Sequence, residues 1–200
     1  SPPRAAVRRF DRGSPTFVRV TFSAYDLDEF GTPGSVFDAR IKLIFPPASG
    51  ILPPLERDTP DWWASFLAVP EDERGTMRTY SIRDLRVTDA GTEVDIDFVV
   101  HGGGVAAAWA LAAQRGDEVA IAPSHGDYSP PEGAVWQQLV ADATALPALS
   151  RIVEERSAGV RTYATVIVAD DGEHQDITGD DVVWTWVHEP DDDAVSDAMV

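Results

Sequence analysis

Arg78-Thr79-Tyr80-Ser81-Ile82-Arg83 lies near the middle of the chain, inside an extended run, residues 76–83, that reads as a β-strand. Alternate side chains of a strand share a face, so Arg78 and Tyr80 point one way while Thr79, Ser81 and Arg83 point the other. The first four residues place a cation suited to a phosphate, an aromatic face suited to a flat ring, and hydroxyls suited to a ring heteroatom within one short segment. A single ligand meets both sets only where the strand twists or ends. An exposed strand with outward charges has the same composition, so the neighbouring segments decide between the two readings.

Upstream, residues 16–25 and 39–45 alternate apolar and polar side chains as strands do, and residues 26–34 form a turn-rich connection. Residues 46–61 are dense in proline and read as an irregular surface loop; residues 93–100 make a further strand. Short strands spaced by turns, with no strong helical pattern before Val105, predict an antiparallel barrel. Beyond it, Gly102-Gly103-Gly104 opens an Ala-rich helix over 105–114, and residues 119–122 make another strand. Ser129-Pro130-Pro131-Glu132-Gly133 reads as a break, which divides the chain into a β-barrel domain, 1–132, and an α/β domain, 133–200. In the latter a strand over 138–141, a helix over 144–156 and strands over 163–169 and 182–187 imply parallel pairing through a right-handed crossover. The α/β part is short for a nucleotide-binding half, so the sequence is expected to be a piece of a longer protein or to lack internal loops.

Composition narrows the chemistry. Two hundred residues with 44% hydrophobic content can bury a sizeable core. The formal charge of −18 is uneven: residues 1–140 hold 13 basic and 20 acidic groups (−7), residues 141–200 hold 3 and 14 (−11). That balance argues against a nucleic-acid partner, which needs clustered Lys and Arg. With no cysteine there is no disulfide, thiolate zinc site, cysteine-ligated cluster or thiol nucleophile, so an electron carrier here needs an organic cofactor. No apolar run spans a bilayer and the Arg-bearing start lacks a secretory core, which predicts a soluble cytoplasmic protein without a membrane partner. The four histidines, His101, His125, His174 and His188, fall in separate segments without metal-helix spacing, so no metal site is expected. Arg4, Arg8, Arg9 and Arg12 read as a solvated face or a tail.

Two further turns bear on a ligand. The glycines before Val105 free several backbone N–H groups at the positive end of a helix, which suits a pyrophosphate and equally suits a plain loop. In Ala141-Asp142-Ala143-Thr144-Ala145-Leu146-Pro147, a strand's carboxyl end meets a helix's amino end, the position where open α/β sheets bind nucleotides. Asp142 or Thr144 can cap that helix and Pro147 fits its first turn; taken alone, the turn is a capped helix and nothing more.

Arg78 to Ser81 resembles the flavin-binding signature of ferredoxin-reductase-like enzymes. The ordered set of this segment, Asp97-Phe98-Val99-Val100-His101-Gly102, Trp109-Ala110, Gly116-Asp117-Glu118 and Thr144-Ala145-Leu146-Pro147-Ala148 resembles the siderophore-interacting protein family over nearly the whole chain. The resemblance implies a ferredoxin-reductase-like architecture, an antiparallel FAD-binding barrel followed by a parallel-sheet nucleotide-binding domain. It also implies a monomeric cytoplasmic flavoprotein that reduces ferric siderophores with NADH or NADPH. By position, Arg78 would contact FAD phosphate or ribityl, Tyr80 the isoalloxazine, and Ser81 the flavin's reactive edge, with Thr79 in the same segment and Arg83 reinforcing. His101, Gly102, Gly103, Gly104, Val105 and Ala106 would hold the pyrophosphate and adenine side, lined by Asp97 and Val99. Thr144, Ala145 and Pro147, in the turn that contains Asp142, would face the nicotinamide. No protein acid or base carries the chemistry on this reading. Two turns depart from the family pattern: Gly104-Val105-Ala106-Ala107 replaces a longer acidic turn, and Ala141-Asp142-Ala143-Thr144 replaces Gly-Asp-Glu-Thr. A flavin reductase serving another acceptor, or a cofactor-depleted siderophore-binding module, stay open as alternatives.

Overall fold

Side-chain alternation along short apolar runs builds two sheets. The computed structural model describes residues 4–12, 14, 16–24, 27–53, 61–100, 104–123 and 125–188. In chain order these form β1 (Arg4–Asp11), β2 (Phe17–Ala24), β3 (Arg40–Phe45), α1 (Trp62–Ala68), α2 (Glu71–Arg74), β4 (Thr76–Ser81), β5 (Asp84–Thr88) and β6 (Gly91–Val99). There follow α3 (Val105–Ala112), β7 (Glu118–Pro123), β8 (Trp136–Asp142), α4 (Leu146–Glu155), β9 (Arg161–Val168) and β10 (Val182–His188). Among the described residues no helix is long and apolar enough to cross a membrane.

The first sheet has seven antiparallel strands in the order β4-β3-β7-β1-β2-β6-β5. Its outermost strands, β4 and β5, are consecutive in sequence, so two residues must span from one edge to the other. Ile82 N donates to Ala39 O (2.9 Å) on one side and Arg83 N to Asp95 O (2.8 Å) on the other. That link forces the sheet to curl, yet among the described residues no ladder joins β4 to β5. The predicted barrel therefore exists as a curled sheet left open along β4. Phe22, Ile41, Leu43, Phe45, Ile82, Ile96 and Phe98 fill it, each almost fully buried, which contributes roughly 1.5–3 kcal/mol per side chain. Ala106 and Ala110 of α3 close one end, with Trp109 in contact with Phe45 (ring centroids 5.1 Å apart). Just before β4, Gly75 has φ +76°, and a Cβ there would lie 2.2 Å from the Phe45 carbonyl oxygen, so only glycine fits the approach to that strand.

Three features of this part of the chain go beyond the sequence reading. The N-terminal arginines are a solvated face and not a tail: they belong to or adjoin β1, whose Ala5 and Val7 are buried while the arginines stay exposed. Arg4 pairs with Glu118 (3.2 Å), Arg8 donates to Ser23 Oγ (2.6 Å), and Arg12 donates to the Leu111 carbonyl (2.5 Å). The interleaved alanine and valine were the overlooked signal. β5 and the short helices α1 and α2 were also not anticipated.

The second sheet is parallel, in the order β10-β9-β8, and α4 makes the crossover from β8 to β9. Its inner face, Ala141, Ala164, Val166 and Val168, packs on Leu146, Leu149 and Val153 of α4 and on Phe17 of β2. The outer face exposes Trp136, Val140, Tyr163, Val183 and Val187.

α4 is clamped to the first sheet at its last turn. Arg83, immediately after β4, makes a two-pronged ion pair with Glu154, both contacts 2.9 Å. Glu155 Oε2 accepts from the amides of Val36 (2.7 Å) and Phe37 (2.5 Å), and Arg151 holds both glutamates. The Arg83 and Glu154 side chains are 11% and 17% exposed, so removing one partner leaves a desolvated charge. Glu154→Ala is expected to lower unfolding stability by about 3 kcal/mol in urea denaturation, and a loss below ~0.5 kcal/mol would contradict the clamp.

Candidate functional site

A cavity of about 490 Å³ lies among the exposed edge of β4, the first turn of α3 and the start of α4. Because β4 is an edge strand, one side of its backbone is unpaired in the sheet, and a ligand there reaches residues of both faces. Arg78, Thr79, Tyr80 and Ser81 all line it.

Each of these residues has a distinct setting. Tyr80 stands opposite Ile41 in the ladder and leans on the core, its ring 4.6 Å from that of Phe98 and tilted by 52°. Burial pushes its phenol pKa up to about 12, with a smaller opposing pull from Arg78. Arg78 is exposed; among the described residues its guanidinium meets the Met77 carbonyl (2.8 Å) and no carboxylate. Lys42 Nζ donates to Thr79 Oγ1 (3.2 Å), adding a second cation beside the cavity.

Gly104, Val105, Ala106 and Ala107 form the opposite wall. Gly104 is the N-cap of α3 and, among the described residues, no side chain caps the helix, so the first-turn amides present donors at the positive end of the dipole. A Cβ on Gly104 would meet nothing within 4 Å, which leaves room for a bulky anion. His101, Gly102 and Gly103 lie outside the described residues. Asp97 and Val99 of β6 also line the cavity. The buried Asp97 carboxylate is gripped by Arg19 at 2.6 and 2.8 Å, and this pairing holds the Arg19 guanidinium more firmly protonated than usual. A phosphate nearby therefore meets a neutralised pair, not a bare carboxylate.

Thr144 and Pro147 supply the third wall. The helix starts at Leu146 with Ala145 in the N-cap position, and neither Asp142 nor Thr144 caps it. Asp142 Oδ1 accepts instead from Thr144 Oγ1 (2.7 Å) and Ala145 N (3.0 Å), which fixes the preceding turn. The Thr144 hydroxyl, helped by the backbone amides, holds the Asp142 carboxyl below its ordinary pKa. Asp142 and Ala145 thus shape the turn without lining the cavity. Arg83 also lies outside it, in the clamp with Glu154.

Sequence reasoning missed Arg40, Ala107 and Arg19. Arg40 lines the cavity and is tied to Asp127 (2.5 Å) and the His125 carbonyl (2.6 Å). Its signal was the β3–β4 register, which sets Arg40 opposite Ser81. The histidines are less scattered than their spacing suggests: His174 and His188 approach to 3.1 Å because parallel pairing brings the exit of β9 to the end of β10.

A curled antiparallel sheet and a parallel α/β unit meeting at such a cavity define the ferredoxin-reductase-like fold. Residues 6–128 match the profile of the siderophore-interacting FAD-binding domain and residues 134–200 that of the siderophore-interacting protein; the chain belongs to the siderophore-interacting protein family. It is 36% identical over 154 residues to the NADPH-dependent ferric-chelate reductase of Escherichia coli, covering 76% of this chain and 56% of that protein. It is 34% identical over 168 residues to ferric vibriobactin reductase ViuB of Vibrio cholerae, covering 82% of this chain and 58% of the relative. The chain thus spans little more than half the length of either. A siderophore utilization protein from T. fusca superposes with a TM-score of 0.75 at 31% identity, covering 92% of this chain and 68% of that one.

The raised Tyr80 pKa carries a sign. Folding favours the neutral phenol, so its stabilising contribution is complete below about pH 10 and is lost as pH rises towards about 12. In an alkaline absorbance titration, one of the four tyrosines is expected to ionise near pH 12 and to vanish in Tyr80→Phe. Ionisation of every tyrosine near pH 10 would contradict this environment.

Proposed function

We propose that this chain carries the flavin and nicotinamide sites of a reductase that uses FAD and NADPH or NADH to reduce a ferric siderophore, releasing ferrous iron. The observation that carries the reading is the convergence of the β4 edge, the uncapped α3 and the α4 turn on one cavity. Among the described residues, a cation without a carboxylate partner, an aromatic ring and hydroxyls stand on one wall, and helix amides without a side-chain cap stand on the other. The relatives' names, NADPH-dependent ferric-chelate reductase and ferric vibriobactin reductase, support the same acceptor.

On this reading Tyr80 and Ser81 hold the isoalloxazine, Arg78 and Thr79 its ribityl phosphate side, and Gly104, Val105 and Ala106 the pyrophosphate. Thr144 and Pro147 border the nicotinamide, on a turn stiffened by Asp142 and Ala145. FAD, when bound, takes up the two electrons of a hydride together and yields them singly, as a one-electron ferric acceptor requires. One reduced nicotinamide nucleotide then serves two ferric chelates and leaves one proton. The protein's part is to orient the two nucleotides and to keep a cationic rim at Arg78 and Lys42 for an anionic chelate, against a chain of net charge −18. Ferrous iron leaves because hard oxygen ligands hold it less tightly. Residues 1–132 form the flavin domain and residues 133–200 the nucleotide domain of a monomeric cytoplasmic protein.

Purified protein given FAD is expected to retain a yellow, protein-bound flavin, and Arg78→Ala to weaken FAD binding about 10–100-fold, the worth of a charged hydrogen bond. Anaerobic bleaching by NADPH or NADH should be reversed by a ferric siderophore. A preparation that takes up no FAD sinks the proposal; a reduced flavin that a ferric siderophore leaves bleached sinks its choice of acceptor.

A further inference from the structure

Asp171, His174 and His188 converge outside the cavity, at the carboxyl end of the parallel sheet. The two Nε2 atoms are 3.1 Å apart, and Asp171 Oδ1 lies 3.2 Å from that of His188 and 3.7 Å from that of His174. A first-row divalent ion with bonds of about 2.0–2.2 Å sets tetrahedral ligand atoms roughly 3.3–3.6 Å apart. The observed separations of 3.1, 3.2 and 3.7 Å bracket that range, so shifts of a few tenths of an ångström bring all three atoms to it. We propose that these three residues form a binding site for one divalent first-row transition-metal ion, with the remaining coordination positions open to water or a ligand.

Independent contacts hold the ligands in place. Trp184, Trp186 and His188 share one face of β10, and the His174 ring stacks on Trp186 with centroids 4.3 Å apart and planes 25° apart. Trp184 stacks in turn on Trp186, centroids 5.8 Å apart. The 3-10 turn Asp171–Glu173, which aims Asp171 and His174 to the same side, is fixed by three hydrogen bonds. Gly172 N donates to Asp170 Oδ1 (2.6 Å), Ala169 N to Glu173 Oε2 (2.8 Å), and Ser14 Oγ to the Gly172 carbonyl (2.7 Å). Two imidazole nitrogens and one carboxylate favour borderline cations such as Zn²⁺ or Co²⁺ over Mg²⁺ and Ca²⁺, which prefer all-oxygen sites. A solvated pair of histidines beside an aspartate is the competing reading, and metal affinity separates the two. The inference is independent of the reductase proposal, since no residue is shared.

The test uses untagged protein titrated with ZnCl₂ or CoCl₂. One equivalent of Zn²⁺ should bind in equilibrium dialysis, with Mg²⁺ failing to compete. Co²⁺ should give a ligand-field absorption band and quench tryptophan fluorescence through the stacked Trp186. His174→Ala and His188→Ala should each weaken Zn²⁺ binding at least about 100-fold, beyond the 10–100-fold typical of losing an outer-shell partner, with unchanged circular dichroism and FAD uptake. Absence of saturable binding near one equivalent, or equal binding by the His174→Ala/His188→Ala double variant, overturns the site. Arg78→Ala should leave metal binding unchanged, so failure of the flavin reading and failure of this one are told apart.

Discussion

The ion pair between Arg83 and Glu154 joins the exit of β4 to the last turn of α4, and the cavity depends on that junction. Pro147, at the other end of the helix, is about 10 Å further along the axis at 1.5 Å per residue. A helix anchored at Glu154 and Glu155 therefore delivers its first turn to the β4 edge at a set distance. Phe17 of β2 adds an apolar seat in the core of the parallel unit. The curl of the first sheet is tied to the same place, because Ile82 and Arg83 are the two residues that cross between its edges. One short segment thus links the two edges of the curled sheet, carries residues of the cavity and clamps the second unit.

The electrostatics follow from which cations are already engaged. Arg19, Arg83 and Arg86 are held by Asp97, Glu154 and Asp95 respectively, and their charges are largely spent on the fold. Arg78 meets only a carbonyl among the described residues, on the one strand whose edge lines the cavity. In a chain with 34 acidic residues and 16 basic ones, a cation left without a carboxylate at a cavity wall is a local exception. The uncapped α3 adds partial positive charge opposite it.

Much of this arrangement was legible in one dimension, for physical reasons. The alternation of Val94, Ile96 and Phe98 with acidic residues in Gly91–Val99 reports a strand with an apolar face turned to the core, and a glycine-led Ala-rich run reports a helix. The Arg8 and Arg9 segment left a solvated face and a tail both open, because its charges dominate a pattern whose buried members, Ala5 and Val7, are small. Arg83 sits in the same hexapeptide as Arg78, yet its side chain turns to α4, a partner 71 residues away that no local pattern announces.

The sequence by itself determined the strand and helix periodicities, the exclusion of thiol and cluster chemistry, and the residue types along the β4 edge. Tertiary structure alone decided which arginines are paired and which, among the described residues, meets no carboxylate, because that depends on carboxylates brought from α4 and β6. It alone decided that Arg40 lines the cavity, through a ladder register, and that His174 and His188 meet. Local propensity acts over a few residues. The charge pairing and the ligand geometry are set by contacts between segments that the chain keeps far apart.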